Sequence, residues 1–216
     1  MSVKARLEDA MILWDQGRKE GAWALVLIAA AATARKRNPR PMKDNESFKR
    51  FIRDVPDFPK PGILFKDITP LLADVAAFRF AVDALSEHFA GRDIDKVLGV
   101  EARGFIIAAP VAYRFGAGFI PVRKAGKLPW QVEKQEYVLE YGTDLLEIHR
   151  DALSPGEHAL IIDDVMATGG TAAATARLVE RLGGEVVGMG FVIELEFLGG
   201  RRKLEGRDAV SLIRYE

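Results

Sequence analysis

The stretch Leu160-Ile-Ile-Asp-Asp-Val-Met-Ala-Thr-Gly-Gly-Thr171 carries an apolar run into two adjacent carboxylates and then into a turn of small residues. The run Ala159 to Ile162, bounded upstream by Ser154-Pro-Gly156, reads as a buried strand, and Gly170 to Leu182 reads as the helix that follows. Ala167, Gly169 and Gly170 let main-chain amides come close to a ligand. The helix start adds partial positive charge, and Thr168 and Thr171 add hydroxyl donors, which together make a phosphate cradle. Asp163 and Asp164 fall at the carboxyl edge of the strand, where open α/β sheets bind their ligands. Carboxylates beside a phosphate repel it, so they must face another part of the same ligand, and sugar hydroxyls are what carboxylates accept from well. The GxxxxGK[ST] and GxGxxG spacings are both missing, which sets aside those two nucleotide-binding loops.

Working outward, the same alternation repeats. Val97 to Val100 leads to a helix over Gly104 to Phe115, Phe119 to Val122 is a further apolar run, and Val186 to Ile193 follows the helix after the phosphate turn. Continuous apolar strands between helices imply a mostly parallel sheet covered on both faces, hence an α/β fold. Asp74 is placed to cap a helix whose Phe78, Ala81, Val82, Leu85 and Phe89 share one face, with Gly91 as its stop. The segment Asp57 to Pro70 holds three prolines and a glycine and predicts a stiff, irregular path, serving as an arch or a binding lip. Between Lys124 and Arg150 polar residues give way to alternating Tyr137, Leu139 and Tyr141, which predicts a hairpin projecting from the sheet behind a mobile loop. At the start of the chain, Leu7, Ala10, Met11 and Trp14 keep helical spacing and a second helical run covers Ala22 to about Arg35. Arg35 to Asp44 is charged and holds two prolines, so residues 1–44 are expected to be a helical extension with its linker, and 45–216 the main domain.

Composition bounds the partners. The 216 residues hold 31 Lys and Arg against 31 Asp and Glu, so no overall field draws the chain to nucleic acid or an anionic membrane. The absence of cysteine excludes disulfides, thiolate metal sites and thiol catalysis, and fits a reducing, cytoplasmic setting. Gly21 to Ala34 is apolar but shorter than the roughly 20 residues a bilayer needs. His88, His149 and His158 are scattered, and no metal-binding set is legible.

The pattern of apolar strand, Asp-Asp and Ala-Thr-Gly-Gly-Thr resembles the phosphoribosyl-pyrophosphate (PRPP) loop of type I phosphoribosyltransferases. Four further stretches occur in the chain order of the adenine phosphoribosyltransferase family: Phe58-Pro-Lys-Pro-Gly-Ile-Leu-Phe-Lys-Asp-Ile-Thr-Pro70, Gly99-Val-Glu-Ala-Arg-Gly-Phe105, Val122-Arg-Lys-Ala-Gly-Lys-Leu-Pro129 and Tyr137-Val-Leu-Glu-Tyr-Gly-Thr-Asp144. The resemblance covers about residues 45–216 and implies a type I phosphoribosyltransferase fold with a hood and a flexible catalytic loop. It implies that Ala167, Thr168, Gly169, Gly170 and Thr171 hold the 5′-phosphate, with Asp163 and Asp164 on the ribose. In the hood, Phe65 would stack on the base, flanked by Leu64 and by Lys66, where many relatives have arginine. Glu101, Ala102 and Arg103 would form the pyrophosphate loop. Arg123, Lys124 and Lys127 would stabilise the departing charge, in part for the neighbouring subunit of a homodimer, and Glu140 would be the proton carrier, beside Tyr141. The implied reaction gives AMP and pyrophosphate from adenine and PRPP, with Mg2+ carried by PRPP and no direct protein metal site. Two other readings stay open here: transfer to a 6-oxopurine, and a purine-responsive regulator that binds PRPP without catalysis.

Overall fold

β7 (His158–Met166) lies inside a seven-stranded sheet, with β3 (Lys96–Val100) along one side of it and β8 (Glu185–Leu195) along the other, all three parallel. The structure is a computed structural model that describes residues 45–138 and 143–216. The helical hairpin and linker expected over residues 1–44 lie outside the described residues. Beyond β8 comes β9 (Ala209–Tyr215), again parallel, and beyond β3 comes β4 (Gly118–Lys124), also parallel. The other edge is antiparallel: β6 (Thr143–His149) meets the end of β4, and β5 (Val132–Val138) pairs along β6, giving the order β5-β6-β4-β3-β7-β8-β9. The expected hairpin is therefore an extension of the main sheet, tied to it at Arg123↔Glu147 and Lys124↔Leu146.

Alternation along the central strands feeds two cores. Leu160 and Ile162 of β7, with Val97 of β3, pack against Leu85 of α3 (Val75–His88), Phe89 just beyond its end, and Ile107 and Val111 of α4 (Arg103–Phe115). Ile161 of β7 and Leu98 of β3 point the other way, toward Leu178 and Val179 of α5 (Gly170–Arg181). Each such buried Leu or Ile contributes about 1.5–3 kcal/mol relative to exposure, so a one-residue slip of β7 would exchange both cores at once. Helix α3 begins as expected, with the Asp74 carboxylate accepting from the amides of Ala76 and Ala77 at 2.9 Å. It ends at His88, and Gly91 follows in the left-handed region.

The proline-rich segment is more regular than its sequence predicts. After α1 (Asn45–Lys49), β1 (Arg53–Pro56) and β2 (Leu64–Asp67) form a two-stranded antiparallel sheet, followed by a short α2 (Thr69–Ala73). Pro59 and Pro61 fall in the connecting turn, where no ladder hydrogen bond is lost. The Gly62 amide donates to the Asp57 carboxylate at 2.7 Å and helps close it.

Candidate active site

The phosphate turn leaves β7 at Met166 and enters α5 at Gly170. Gly169, with φ at +70°, makes the reversal in a region that a side chain disfavours. A cleft of about 200 Å³ opens here, lined by Asp163, by Ala167 through Thr171 and by Leu198. Asp163 stands buried at its wall and Asp164 is buried next to it, the amide of Asp164 donating to Asp163 Oδ1 at 2.8 Å. Burial first, and the neighbouring Asp164 charge second, hold the Asp163 carboxyl well above its usual range. Two carboxylates crowded in this way call for hydroxyl donors or a cation.

One cation is already there. Arg103, the first residue of α4, brings its Nε within 2.6 Å of Asp164 Oδ2, and its guanidinium carbon lies 4.9 Å from the centre of the Phe65 ring. Arg103, expected from the sequence as a clamp on pyrophosphate, thus bridges Asp164 and the Phe65 ring. Phe65 meets Phe58 edge-on at 5.1 Å, and Leu64 beside it is half exposed. Lys66 differs from its neighbours in the motif. Its Nζ lies 2.6 Å from Asp54 and 4.0 Å above the Tyr215 ring, so its ammonium is committed to the base of the hood.

On the other side of Arg103, the Glu101 carboxylate gathers the basic loop. It accepts from Arg123 Nε at 3.1 Å, from the Lys124 amide at 3.2 Å, and from Lys127 Nζ. Burial pushes the Glu101 carboxyl up, but these donors outweigh it and leave it below its ordinary value. Arg123 also donates to the Lys127 carbonyl at 3.1 Å, and Lys124 pairs with Asp144 at 3.1 Å. Beneath the loop, buried Glu147 accepts from the Gly126 amide at 2.9 Å and pairs with Lys134. Ala102 sits exposed between Glu101 and Arg103. Glu140 and Tyr141 lie outside the described residues.

Tyr137, read in the sequence as part of the hairpin alternation and as the first residue of the Tyr137–Asp144 stretch, is given no role of its own there. Its hydroxyl donates to Asp144 Oδ2 at 3.3 Å. Burial and the Asp144 charge push that hydroxyl up to about 12, against a hydrogen bond shared with Thr171. Tyr137 and Asp144 face each other across β5 and β6, so the bond between them closes the hairpin on itself. Asp144 was legible only as the last residue of a motif, since its partner Lys124 is distant in the chain.

Residues 66–210 match the family model described as phosphoribosyl transferase domain. A curated relative, the adenine phosphoribosyltransferase of Trichormus variabilis, is 59% identical over 169 residues, which is 77% of this chain and 98% of that protein. The chain belongs to the adenine phosphoribosyltransferase family. Among solved structures, the adenine phosphoribosyltransferase of Thermoanaerobacter pseudethanolicus matches with 54% identity and a TM-score of 0.77, covering 79% of this chain and 99% of that one. That of Saccharomyces cerevisiae, solved with D-2,5-dideoxy-2,5-imino-altritol 1,6-bisphosphate and adenine, matches with 42% identity and a TM-score of 0.73 over 78% of this chain and 97% of that one. A second family model, described as Rv1289, matches residues 2–83, and so runs across the boundary expected near residue 45 into the adenine phosphoribosyltransferase domain.

Proposed function

We propose that this chain transfers the phosphoribosyl group of PRPP to adenine, giving AMP and pyrophosphate, the reaction named by its family. The observation that carries the proposal is the link made by Arg103, which pairs with Asp164 of the buried acid pair just before the phosphate turn and lies over the Phe65 ring of the hood. The amides and hydroxyls of residues 167–171 hold the 5′-phosphate, and Asp163 and Asp164 accept from the 2′- and 3′-hydroxyls. Ribose hydroxyls supply the donors that this crowded pair lacks. Phe65 offers its ring to the purine, worth about 1–3 kcal/mol for an aromatic–base stack.

In the chemical step the bond from the anomeric carbon to pyrophosphate breaks and the bond from that carbon to N9 of adenine forms, while the N9 proton leaves. Pyrophosphate gains charge as it departs. Arg123 and Lys127, now held by Glu101, and Lys124, now held by Asp144, are the cations within reach of that charge, and their attraction grows toward the transition state. Glu140 is assigned as the proton carrier. Mg2+ enters as an ion on PRPP, neutralising its phosphates. Phosphate oxygens suit such a hard cation.

We assign a homodimer, and the surface at the start of α4 and along it supports this. Ala102, Ile106, Ala109 and Tyr113 recur at helical spacing and are all exposed, Tyr113 at 87%. A solvent-facing apolar stripe of this length suits a second copy of the chain, and it starts at Ala102 beside the basic loop. Among the described residues no helix is long and apolar enough to cross a membrane, and with balanced charge we assign the protein to the cytoplasm without a nucleic-acid partner. Residues 1–44 are assigned to a separate extension.

The test is turnover. Purified protein with PRPP and Mg2+ is expected to release pyrophosphate with adenine and to prefer adenine when purines compete. Preference for a 6-oxopurine would overturn the substrate assignment, and binding of PRPP with no turnover on any purine would overturn catalysis.

A further inference from the structure

After β8 the chain forms two short 3-10 turns, Glu196–Leu198 and Gly200–Leu204, joined by Gly199 in the left-handed region. Nothing in the reaction above uses them, yet they support the phosphate turn from behind. A Cβ placed on Gly169 would run into the Gly200 carbonyl. One placed on Gly200 would run into the Ala167 carbonyl and stand 2.8 Å from the Gly169 amide nitrogen. The two glycines are in direct main-chain contact, and Leu198 from the same segment lines the phosphate cleft.

What holds Gly200 there is an ion pair whose carboxylate is buried and whose guanidinium is partly exposed. Register along the sheet sets Glu194 beside Met166, the last residue of β7 before the phosphate turn. The Glu194 side chain is only 4% exposed. Arg201 folds back onto it, donating from Nε to Glu194 Oε1 at 2.9 Å and from a second nitrogen to Oε2. Its remaining nitrogen donates to the Ala209 carbonyl at 2.8 Å at the start of β9. The planar guanidinium therefore fixes the turn to two strands at once, and a lysine cannot reproduce that fork. A charge pair with a buried carboxylate brings little net stability over apolar packing, so its geometric effect is the notable one.

We infer that Glu194 and Arg201 are positioning residues, which press Gly200 against Ala167 to Gly169 and so preset the main-chain amides for the 5′-phosphate. A turn that binds by its backbone has no side chain to readjust, so its shape must come from what lies behind it. Loosening or displacing that support weakens phosphate binding and leaves the hood, with its adenine contacts, in place.

This inference rests on the proposed function, and steady-state kinetics with each substrate varied separates the two. If the wild-type chain makes no AMP from adenine and PRPP, the proposed function fails. If it does, Gly200→Ala and Arg201→Lys carry the present inference. Both are expected to raise the KM for PRPP at least tenfold, Gly200→Ala more, with the KM for adenine within twofold and kcat at saturating PRPP largely kept. Equilibrium binding of ribose 5-phosphate to the same proteins is expected to weaken in parallel. Arg201→Met together with Glu194→Gln removes both charges without orphaning either, and is expected to fold and to show the same PRPP defect. Unchanged KM for PRPP in the folded variants would overturn the inference. So would equal losses in both KM values and kcat with lowered melting temperature, since that is a merely structural role.

Discussion

Gly104→Ala tests how closely the acid pair and the start of α4 are fitted to each other. Gly104 is buried at the second position of α4, and a methyl group there would stand 2.6 Å from Asp163 Oδ1, with the Asp163 Cα and the Ile162 carbonyl both at 3.3 Å. Two responses are open. The carboxylate can swing aside, giving up the hydrogen bond from the Asp164 amide, which costs about 1 kcal/mol. Otherwise the helix must lift from β7, and overpacking of this kind costs about 1–3 kcal/mol. Either way Asp163 leaves the position assigned to the ribose hydroxyls. At 1.4 kcal/mol per tenfold, the loss corresponds to a rise of roughly 5- to 150-fold in the KM for PRPP. Melting should fall by about 2–4 °C for each kcal/mol in a chain of this size. Initial rates of pyrophosphate release, with PRPP varied at saturating adenine, measure the effect. A folded Gly104→Ala protein with the wild-type KM for PRPP would refute the reasoning, because it would mean that the Asp163 position is not used.

Three other changes probe separate parts of the site. Asp163 has a raised carboxyl, so between its usual value of 3.8 and its higher folded value the native state binds the extra proton, and stability falls as pH rises through that window. Asp163→Asn copies the protonated form. Its ligand-free melting temperature should exceed wild type near pH 7, by the equivalent of about 0.5–2 kcal/mol, and the gap should close in acid, while PRPP binding weakens; a variant less stable than wild type at pH 7 would contradict this. Phe65→Ala should raise the KM for adenine by roughly 5- to 150-fold, the equivalent of one stacked base, and spare the KM for PRPP, as the two varied-substrate plots will tell. Glu140→Ala should lower kcat by about 10²- to 10⁴-fold, the span of general acid–base catalysis, more than it changes either KM; full turnover in single-turnover mixing would remove Glu140 as proton carrier.

The parts of the fold that were legible in the sequence are those written in local chemistry. The strand, acid pair and phosphate turn over Leu160 to Thr171 lie contiguously and reappear as β7 and the start of α5, and Asp74 caps its helix through amides two and three residues on. The hood strands were not legible, because four residues between prolines are too few to display alternation. β9 was missed for a related reason: Ser211, Leu212 and Ile213 are buried in succession, so a period of two is absent. Within the site the missing information was long-range. No local pattern tells that Arg103 bridges Asp164 and Phe65, that Glu101 gathers Arg123 and Lys127, or that Gly200 lies against Gly169. Those pairings exist only once the sheet order brings the strand ends together.

The most direct measurement is a crystal structure of the protein with AMP bound. The phosphate is expected within hydrogen-bonding distance of the main-chain nitrogens of residues 168–171, both ribose hydroxyls on Asp163 and Asp164, and Arg103 drawn away from Asp164. Density for AMP seated elsewhere, with this turn and both carboxylates untouched, would contradict the account.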